Sequence, residues 1–548
     1  MDERDLPGTL SASLAARLAR LSDDAREVCE ALCLSDPDGS LPFDSCVALT
    51  SHRDSKRAFQ AFDELVAARI LIADAESYRF DQRGFLAVIE QGMSEERFRT
   101  LHCRLAEGLA ARGGDLIKRV AHWLAAGRDA TAIELLCSID LTLQPPPLPL
   151  LERALRRAEE RRLPTRTIHL LRRALLIKAT PTMAFDSYLA HVPAVLAQVA
   201  KDSGYTHYMQ LTDVPASDRL GIALARAHEQ YLATPEHERV YDVEEGIREF
   251  ALTTVTARAM GVLMLDRAFS AGLPSLEPFV ALSPFLRLVD MAGDGTQEWL
   301  RGRFGSAQAL FARVLSELDA PEHANIPLAE QTRIRFSMHY GLGVLDASRG
   351  LAGAERHAEM LERERAYRVN AWRVRRIWYL NLGDIEEADS CQRRAELLQL
   401  QDGHEQAYAG THILSELMAF ALAGDVLGIK SALDVIRSFA EKLPGWRPFL
   451  AYGQASCQLL QGDPAGALAT LSPALEASPA GQHPAFGFLA GAHVSALLDL
   501  SRVAEAAEHG LTYVEASQRH GTSTTGQIVF VATADALARG GRFAEALA

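Results

Sequence analysis

The sequence lacks the features that mark membrane, secreted and nucleic-acid-binding proteins. The 548-residue chain has no run of about eighteen apolar residues, and its acidic N-terminus, MDERDLPGTL, contains no apolar signal segment. The seven cysteines include no Cys-x-x-Cys pair, and an odd number cannot all form disulfides. The formal charge of −14 makes a general phosphate-binding surface implausible. We therefore expect a cytoplasmic protein with reduced thiols, no membrane segment, and DNA as a poor partner.

Aromatic residues are also sparse, at 7% of the chain, whereas hydrophobic residues reach 48%. Leucine and alanine supply most of the apolar side chains, and this composition favours helices over sheets. The length exceeds the roughly 250–300 residues that one hydrophobic core supports. The fold class that we predict is all-α, made of several domains or of a helical array that grows by stacking.

The first part of the chain predicts a winged-helix module over residues 1–83. Apolar residues at helical spacing over 11–34 predict one helix or a broken pair. A turn follows at Asp36–Gly39, and the next predicted elements are two short helices at 42–50 and 54–68. Residues 70–72 and 77–80 predict a short β-hairpin, the only convincing β structure in the sequence. Three further helices are predicted at 84–92, 94–112 and 115–137.

Proline content sets the main predicted domain boundary. Residues 84–140 read as a helical extension, and the proline-rich segment 144–149 lies in a predicted stiff linker, 141–149. Helical periodicity continues beyond this linker. We predict divergent helical repeats over 150–295 and clearer repeats over 296–548.

The repeat signal is a glycine followed five positions later by a small residue. It occurs at Gly302 with Ala307, Gly383 with Ala388, Gly462 with Ala467 and Gly541 with Ala546, with weaker copies at Gly350, Gly424, Ser501 and, in isolation, Gly127. From Gly383 the copies are 41, 38, 39 and 40 residues apart (383→424→462→501→541). Glycine tolerates the left-handed conformation that ends a helix, and a small residue lets the next helix pack closely. The pattern predicts an α-solenoid of tetratricopeptide-like helix pairs.

The last copy of this pattern is short. Only seven residues follow Gly541, too few for a helix that covers its predecessor. We therefore expect a truncated last repeat, with an uncovered apolar face that carries Ile528, Val529, Val531 and Leu537.

Candidate catalytic and metal motifs are incomplete. His52-Arg53-Asp54 matches a kinase catalytic tripeptide, but Phe59 occupies the position of the magnesium-binding asparagine. The pairs that begin at His228, His237 and His404 lack the second histidine of a zinc-protease helix. No Gly-x-Ser-x-Gly elbow is present. We predict no catalytic residue, no cofactor and no metal.

One basic segment interrupts the acidic background. Residues 153–178 contain nine basic and two acidic side chains, a net charge of +7. The candidate partner-binding residues are Arg153, Arg156, Arg157, Arg172 and Arg173. Leu151, Ala154, Leu155 and Ala158 form an apolar stripe, which places the arginines on the opposite, exposed face. The segment is either a solvated surface or a docking face for an acidic partner.

Two further groups leave alternatives open. The third helix of the predicted winged helix opens with Arg53, Lys56 and Arg57, as a DNA-reading helix would, but residues 41–83 hold six basic and seven acidic side chains. This balance favours a packing module over DNA binding. The aromatic residues Trp372, Trp378, Tyr379 and Trp446 are either core residues or rings that line a peptide-binding groove.

An ordered series of segments resembles one family. It comprises residues 5–10, 15–22, 62–71, 78–80, 101–106 and 122–127. Together they resemble the region after the ATPase module in bacterial STAND-type regulators, which include MalT-like and LuxR-type large activators and ATPase-plus-repeat regions attached to kinases. The resemblance implies a winged helix that serves as the lid of an ATPase switch, and repeats that sense a ligand or partner.

The sequence departs from this family in two respects. It has no Gly-x-x-x-x-Gly-Lys-[Ser/Thr] motif, and none of its six lysines follows a glycine. In addition, Gln82 stands where many members have a histidine. We therefore do not expect a nucleotide switch within this chain. An ATPase or kinase module is expected to act with it, in cis or in trans.

The function that we predict is a non-catalytic regulatory or scaffold protein, the sensor arm of a signalling or transcription regulator. Its repeat groove is expected to bind a protein or peptide. The alternatives are a DNA-binding transcription regulator that uses the winged helix, and a sensor arm that binds a small-molecule inducer.

Overall fold

The computed structural model describes residues 8–35, 41–42, 47, 50–52, 54–74, 77–82, 84–139, 141, 146–182, 184–323, 326, 328–402, 409–522 and 526–547. Most of these residues are helical, as predicted for an all-α chain. The chain divides into two compact units, Met1–Lys178 and Ala179–Ala548. In the described ranges, no helix combines the length and apolar character needed to cross a membrane.

The first unit contains eight described helices and three strands, and a ninth helix runs past its end. The helices are α1 (Gly8–Leu18), α2 (Asp23–Ser35), α3 (Ser55–Ala67), α4 (Gly84–Gly92), α5 (Glu95–Ala111), α6 (Leu116–Ala125), α7 (Asp129–Cys137), α8 (Leu148–Glu160) and α9 (Thr165–Thr182). The strands are β1 (Leu41–Pro42), β2 (Leu71–Asp74) and β3 (Ser77–Phe80). The broken helix pair predicted for 11–34 is confirmed as α1 and α2.

The small core around α3 follows from its sequence. Asp54 caps the helix by accepting hydrogen bonds from the backbone N–H groups of Lys56 and Arg57. Phe62 and Leu65 face inward and are fully buried. They join one apolar cluster with residues of α1, α2, α4 and the adjoining strand β2. This cluster holds α1–α4 and the sheet together.

The sheet has one strand more than the predicted hairpin. Its order is β1-β3-β2, and both pairings are antiparallel. Leu41 pairs with Tyr78 and Pro42 with Ser77. The predicted helix at 42–50 is therefore wrong at its first residue, since Pro42 lies in an edge strand, where its missing N–H is tolerated. The turn predicted at Asp36–Gly39 and most of the predicted helix lie outside the described residues.

Two boundaries in the first unit differ from the predictions. The helix predicted over 115–137 is two helices, because Gly127 adopts a φ of 74° between α6 and α7. Helix α8 begins at Leu148, within the predicted linker 141–149, and lies in the first unit. Arg161, directly after α8, donates from Nε to Asp129 of α7 at 2.8 Å. The helices on the two sides of the prolines are thus tied together, and the unit boundary falls at Lys178.

The second unit consists of helices in its described part. They are α10 (Phe185–Asp202), α11 (Tyr205–Gln210), α12 (Ala216–Ala233), α13 (Val243–Met264), α14 (Arg267–Ala271), α15 (Pro284–Leu300), α16 (Phe304–Leu318), α17 (Leu328–Ala347), α18 (Gly353–Glu362), α19 (Arg368–Leu382), α20 (Ile385–Asp402), α21 (Ala409–Ala423), α22 (Val426–Lys442), α23 (Arg447–Leu460), α24 (Pro464–Glu476), α25 (Phe486–Asp499), α26 (Val503–His520), α27 (Gly526–Arg539) and α28 (Phe543–Leu547). Short 3₁₀ turns lie at Glu236–Glu238, Glu277–Leu282, Pro321–His323, Arg365–Tyr367 and Pro444–Trp446.

The predicted glycine turns are confirmed by their backbone geometry. The positions with positive φ include Gly302, Gly350, Gly383, Gly424, Gly462 and Gly541, and also Ser501. After each turn the next N–H bonds back into the preceding helix, as from Asp384 to Tyr379 at 2.9 Å and from Asp463 to Gln458 at 2.9 Å. The N–H of the glycine also bonds back into this helix, as from Gly383 to Leu380 at 3.2 Å, and the two hydrogen bonds together form the Schellman motif. Five positions beyond the glycines, Ala307, Ala388 and Ala467 are fully buried, as the close-packing argument predicts.

Helices that are distant in sequence also meet in the second unit. A Cβ at Gly445 would lie only 1.9 Å from the carbonyl oxygen of Leu265, at the end of α13. The carbonyl of Gly445 lies 3.0 Å from Nε2 of His483, ahead of α25. Lys442 forms an ion pair with Asp186, at the start of α10. These contacts bring early and late helix pairs of the unit together.

The end of the described chain corrects one expectation. Val529 and Leu537 of α27 are buried, Val529 among residues of α24–α26 and Leu537 against α25 and α26. The expected uncovered face is therefore wrong for these two residues. Val531, by contrast, is 70% exposed.

Candidate functional site

The predicted basic face lies on α8 and α9. Leu151, Ala154, Leu155 and Ala158 are buried, which confirms the apolar stripe of α8. Arg153, Arg156 and Arg157 are exposed on the other side of this helix. Arg172 and Arg173 on α9 are partly buried. The prediction of an exposed face is therefore wrong for these two residues. The structure thus separates the five arginines into an exposed set and a partly covered set.

Ion pairs divide the face further. Arg157 pairs with Glu160 at 2.9 Å, and Arg172 pairs with Glu159 at 2.7 Å. Arg173 also has an interaction partner. Arg156 forms no ion pair with any residue in the described ranges. Arg153 and Arg156 are therefore the two predicted residues that are best placed to meet an acidic partner.

A second surface lies along the turns between paired helices. Its members are large apolar residues that are 45–78% exposed, namely Leu351, Leu382, Ile385, Leu422, Leu427 and Leu460. We call this set the turn edge. Each member lies within three residues of a positive-φ glycine, at the end of one helix, at the start of the next or, for Leu351, in the connection between them. The repeat geometry thus returns an exposed apolar residue at each of these turns.

Neighbouring turns in the edge approach one another. A Cβ at Gly350 would lie 3.5 Å from Cδ2 of Leu382, and a Cβ at Gly424 would lie 3.7 Å from Cδ2 of Leu460. The core position at the end of α19 is filled by Leu380, which is buried, whereas Leu382, two positions later, points to solvent. Exposed apolar patches are typical of protein interaction sites.

The aromatic residues considered as groove residues have mainly structural contacts. Trp446 is 1% exposed and packs against Phe439. Trp378 contacts a core cluster of α17–α19. The guanidinium groups of Arg375 and Arg394 lie over the ring of Trp372, at 4.5 and 5.1 Å from its centre. These rings therefore stabilise the helix pairs.

A cavity of about 230 Å³ was not foreseen from the sequence. It lies among α13, α15 and α17 and is lined mainly by apolar and aromatic side chains. Its lining residues come from separate helices, so no local spacing in the sequence could have identified it. The turn edge did carry a signal, since Leu382 directly precedes a predicted turn glycine.

The described residues of the possible catalytic and DNA-binding motifs are either exposed or engaged by neighbouring groups. His228 and His237 are exposed, while Arg53 and His404 lie outside the described residues. Arg57 forms two hydrogen bonds, of 2.8 and 2.6 Å, with Asp24 on α2. A guanidinium held in this way is already engaged by a carboxylate rather than presented to phosphate. In the ranges that the structure describes, no group of three or more His, Cys, Asp or Glu side chains could hold a metal ion.

The resemblance to STAND-type regulators rests on the quoted segments alone. The chain matches no protein-family model and no curated protein.

Proposed function

We propose that this chain is a non-catalytic regulatory protein of the STAND-like kind, in which a winged-helix module precedes a tetratricopeptide-like solenoid. The solenoid binds a protein or peptide partner, and the turn edge is the surface that receives it. The single observation that carries this proposal is the series of exposed leucines at successive helix turns.

The module assignments are supported by local geometry. In the first unit, α2 and α3 pack on a three-stranded antiparallel sheet through buried Phe62 and Ile70. This combination of helices and a small sheet is what the winged-helix assignment requires. In the second unit, the repeated Schellman turns and the buried alanine one turn later support tetratricopeptide-like pairs.

The partner is placed on the turn edge rather than in an aromatic groove. The rings that would read a peptide in the groove are engaged in packing, whereas the leucines of the edge contact solvent. An amphipathic helix whose apolar face meets the leucines would bury several of them at once. The basic face, through Arg153 and Arg156, gives an ATPase or kinase module a second place to dock.

Peptide selection on the intact chain tests the partner proposal. Peptides selected from a displayed library should be rich in apolar residues, and their affinity is measured by fluorescence anisotropy. The triple variant Leu382→Ser, Leu422→Ser, Leu460→Ser should weaken binding by about tenfold or more, because truncated anchor residues usually cost more than 1 kcal/mol each.

The matched control is Leu397→Ser. Leu397 is 54% exposed, as Leu382 is, but it lies within α20, away from the turns. This substitution should leave peptide affinity unchanged. Selected peptides that bind the triple variant as tightly as the original chain would show that the turn edge is not the binding surface.

A further inference from the structure

The cavity among α13, α15 and α17 has walls suited to an apolar guest. Val255, Ala259, Ala292, Trp299, Phe311 and Met338 are among the residues that line it. Protein interiors are packed with few spaces larger than a water molecule. This space of about 230 Å³ between packed helices opens to solvent at one rim, and it is larger than the voids of ordinary packing.

The hydroxyl groups around the cavity are mostly engaged already. Thr256 donates to the carbonyl of Leu252 at 2.8 Å, and Thr296 donates to that of Ala292 at 2.9 Å. The hydroxyl of Tyr367 is hydrogen-bonded with Ser337, and burial raises the pKa of Tyr367, so this phenol stays neutral. The cavity thus offers few free polar groups, and the bulk of a guest must be apolar.

Arg333 is the one charged side chain among the cavity's lining residues. It is exposed and lies on α17, near the partly buried Tyr367. Arg335, two residues along the same helix, is paired with Asp319 at 2.7 Å. Arg333 forms no ion pair in the part of the chain that the structure describes. Its guanidinium is available for an anionic group at the rim, where Thr256 is also exposed.

We propose that this cavity binds a small carboxylate whose body is aromatic or acyl, with the carboxylate on Arg333. A cavity of about 150 Å³ holds benzene, so by proportion this one takes roughly ten non-hydrogen atoms. Bidentate contact between guanidinium and carboxylate fixes the orientation of the guest. This proposal supplies the class of ligand for the alternative function, a sensor arm that binds a small-molecule inducer. It does not depend on the turn edge.

Calorimetric titration of the full chain tests this site with 3-phenylpropionate and octanoate as probes. The neutral 3-phenylpropanamide, which has the same body, should bind about tenfold more weakly than 3-phenylpropionate, because hydrogen bonds between two charged groups are stronger than those to a neutral amide. Arg333→Gln should weaken the acid by a similar factor and leave the amide unchanged. The matched control, Arg335→Gln, should affect neither probe.

Two further variants test the position of the guest. Ala259→Phe fills the cavity from its wall and should abolish binding of both acids. If this variant does not fold, Thr256→Trp blocks the exposed rim without entering the core and should do the same. Failure of both acids to bind at roughly millimolar concentrations overturns the proposal. Equal affinity of acid and amide overturns the role of Arg333. Either failure leaves the peptide experiment on the turn edge untouched, so the two proposals are judged separately.

Discussion

The Nδ1 atoms of His102 and His122 lie 2.8 Å apart, on α5 and α6 of the first unit. Both side chains are buried. At this distance one ring nitrogen donates its proton and the other accepts it, so at least the accepting imidazole is neutral, and two protonated rings could not form this contact. Burial is the main cause that lowers the pKa of each histidine to about 4, and the positive charges of Arg153, near His102, and Lys118, near His122, add to it.

Acid should therefore destabilise the first unit. The pKa of these histidines is below the ordinary value of 6.5 in the folded chain, so the unfolded chain binds more protons between about pH 6.5 and pH 4. The free energy of unfolding should fall as the pH drops through this window, by about 1–2 kcal/mol per histidine near pH 5. Thermal unfolding at about pH 7.5 and about pH 5 measures the effect.

Substitution separates this pair from the other titrating groups. His102→Gln should make the protein less stable at neutral pH and reduce the loss of stability on acidification. His237→Gln is the control, since the His237 side chain is 69% exposed and lies outside the first unit. An unchanged pH dependence in His102→Gln would show that the pair does not carry the effect.

Substitution of Gly445 by alanine tests how closely the helices of the second unit are packed at this position. It lies between Leu265 and His483, and a Cβ at this position would overlap the Leu265 carbonyl oxygen. Gly445→Ala should destabilise the chain by about 1–3 kcal/mol, as overpacking usually does. Chemical denaturation followed by circular dichroism measures this change.

Gly221→Ala is the matched control for this substitution. Gly221 lies within α12, and a Cβ there meets nothing within 4 Å. Alanine should therefore stabilise this helix slightly, by about 0.5–1 kcal/mol. Equal effects of the two substitutions would mean that the contact between Leu265 and Gly445 is not present in solution.

The sequence predicted those parts of the fold that depend on local chemistry. A glycine that ends a helix, as at Gly383, is recognisable because few other residues adopt positive φ. The contact of Gly445 with Leu265 was not predictable, since nothing local relates residues so far apart in the chain. The same holds for β1, where two residues form a strand only because Tyr78 and Ser77 of β3 lie beside them.

The candidate sites also include features that local sequence predicts and features that depend on distant contacts. The stripe that places Arg153 and Arg156 on the surface follows from helical spacing alone. The partner of Arg172 is Glu159 on α8, and this pairing depends on the angle between α8 and α9, which spacing does not give. Arg333 had no distinguishing signal, because its role comes from the cavity beside it.

The arginines around α8 should differ in their effect on stability. Arg161→Glu would place a carboxylate beside Asp129, which is 5% exposed and accepts from the Arg161 guanidinium at 2.8 Å. This reversal should cost about 1–2 kcal/mol, moderated because the Arg161 side chain is about half exposed. Arg156→Glu, on the exposed side of the same helix, should stay within about 0.5 kcal/mol. Urea denaturation distinguishes the two, and a large loss in Arg156→Glu would place this side chain in the core.

Ser501 should be a site at which one substitution stabilises the protein. It has a φ of 59° and occupies the turn position that glycine holds in the neighbouring repeats. A residue with a Cβ is strained in this left-handed conformation by roughly 1–2 kcal/mol, and glycine is not. Ser501→Gly should therefore raise the free energy of unfolding by up to about 1 kcal/mol, after the greater entropy of glycine in the unfolded chain is deducted. Ser438→Gly within α22 is the control and should be destabilising by about 0.5–1 kcal/mol, because that exposed serine is in an ordinary helical conformation. Since both substitutions add the same flexibility to the unfolded chain, a loss of stability at both positions would show that the turn at Ser501 is not left-handed in solution.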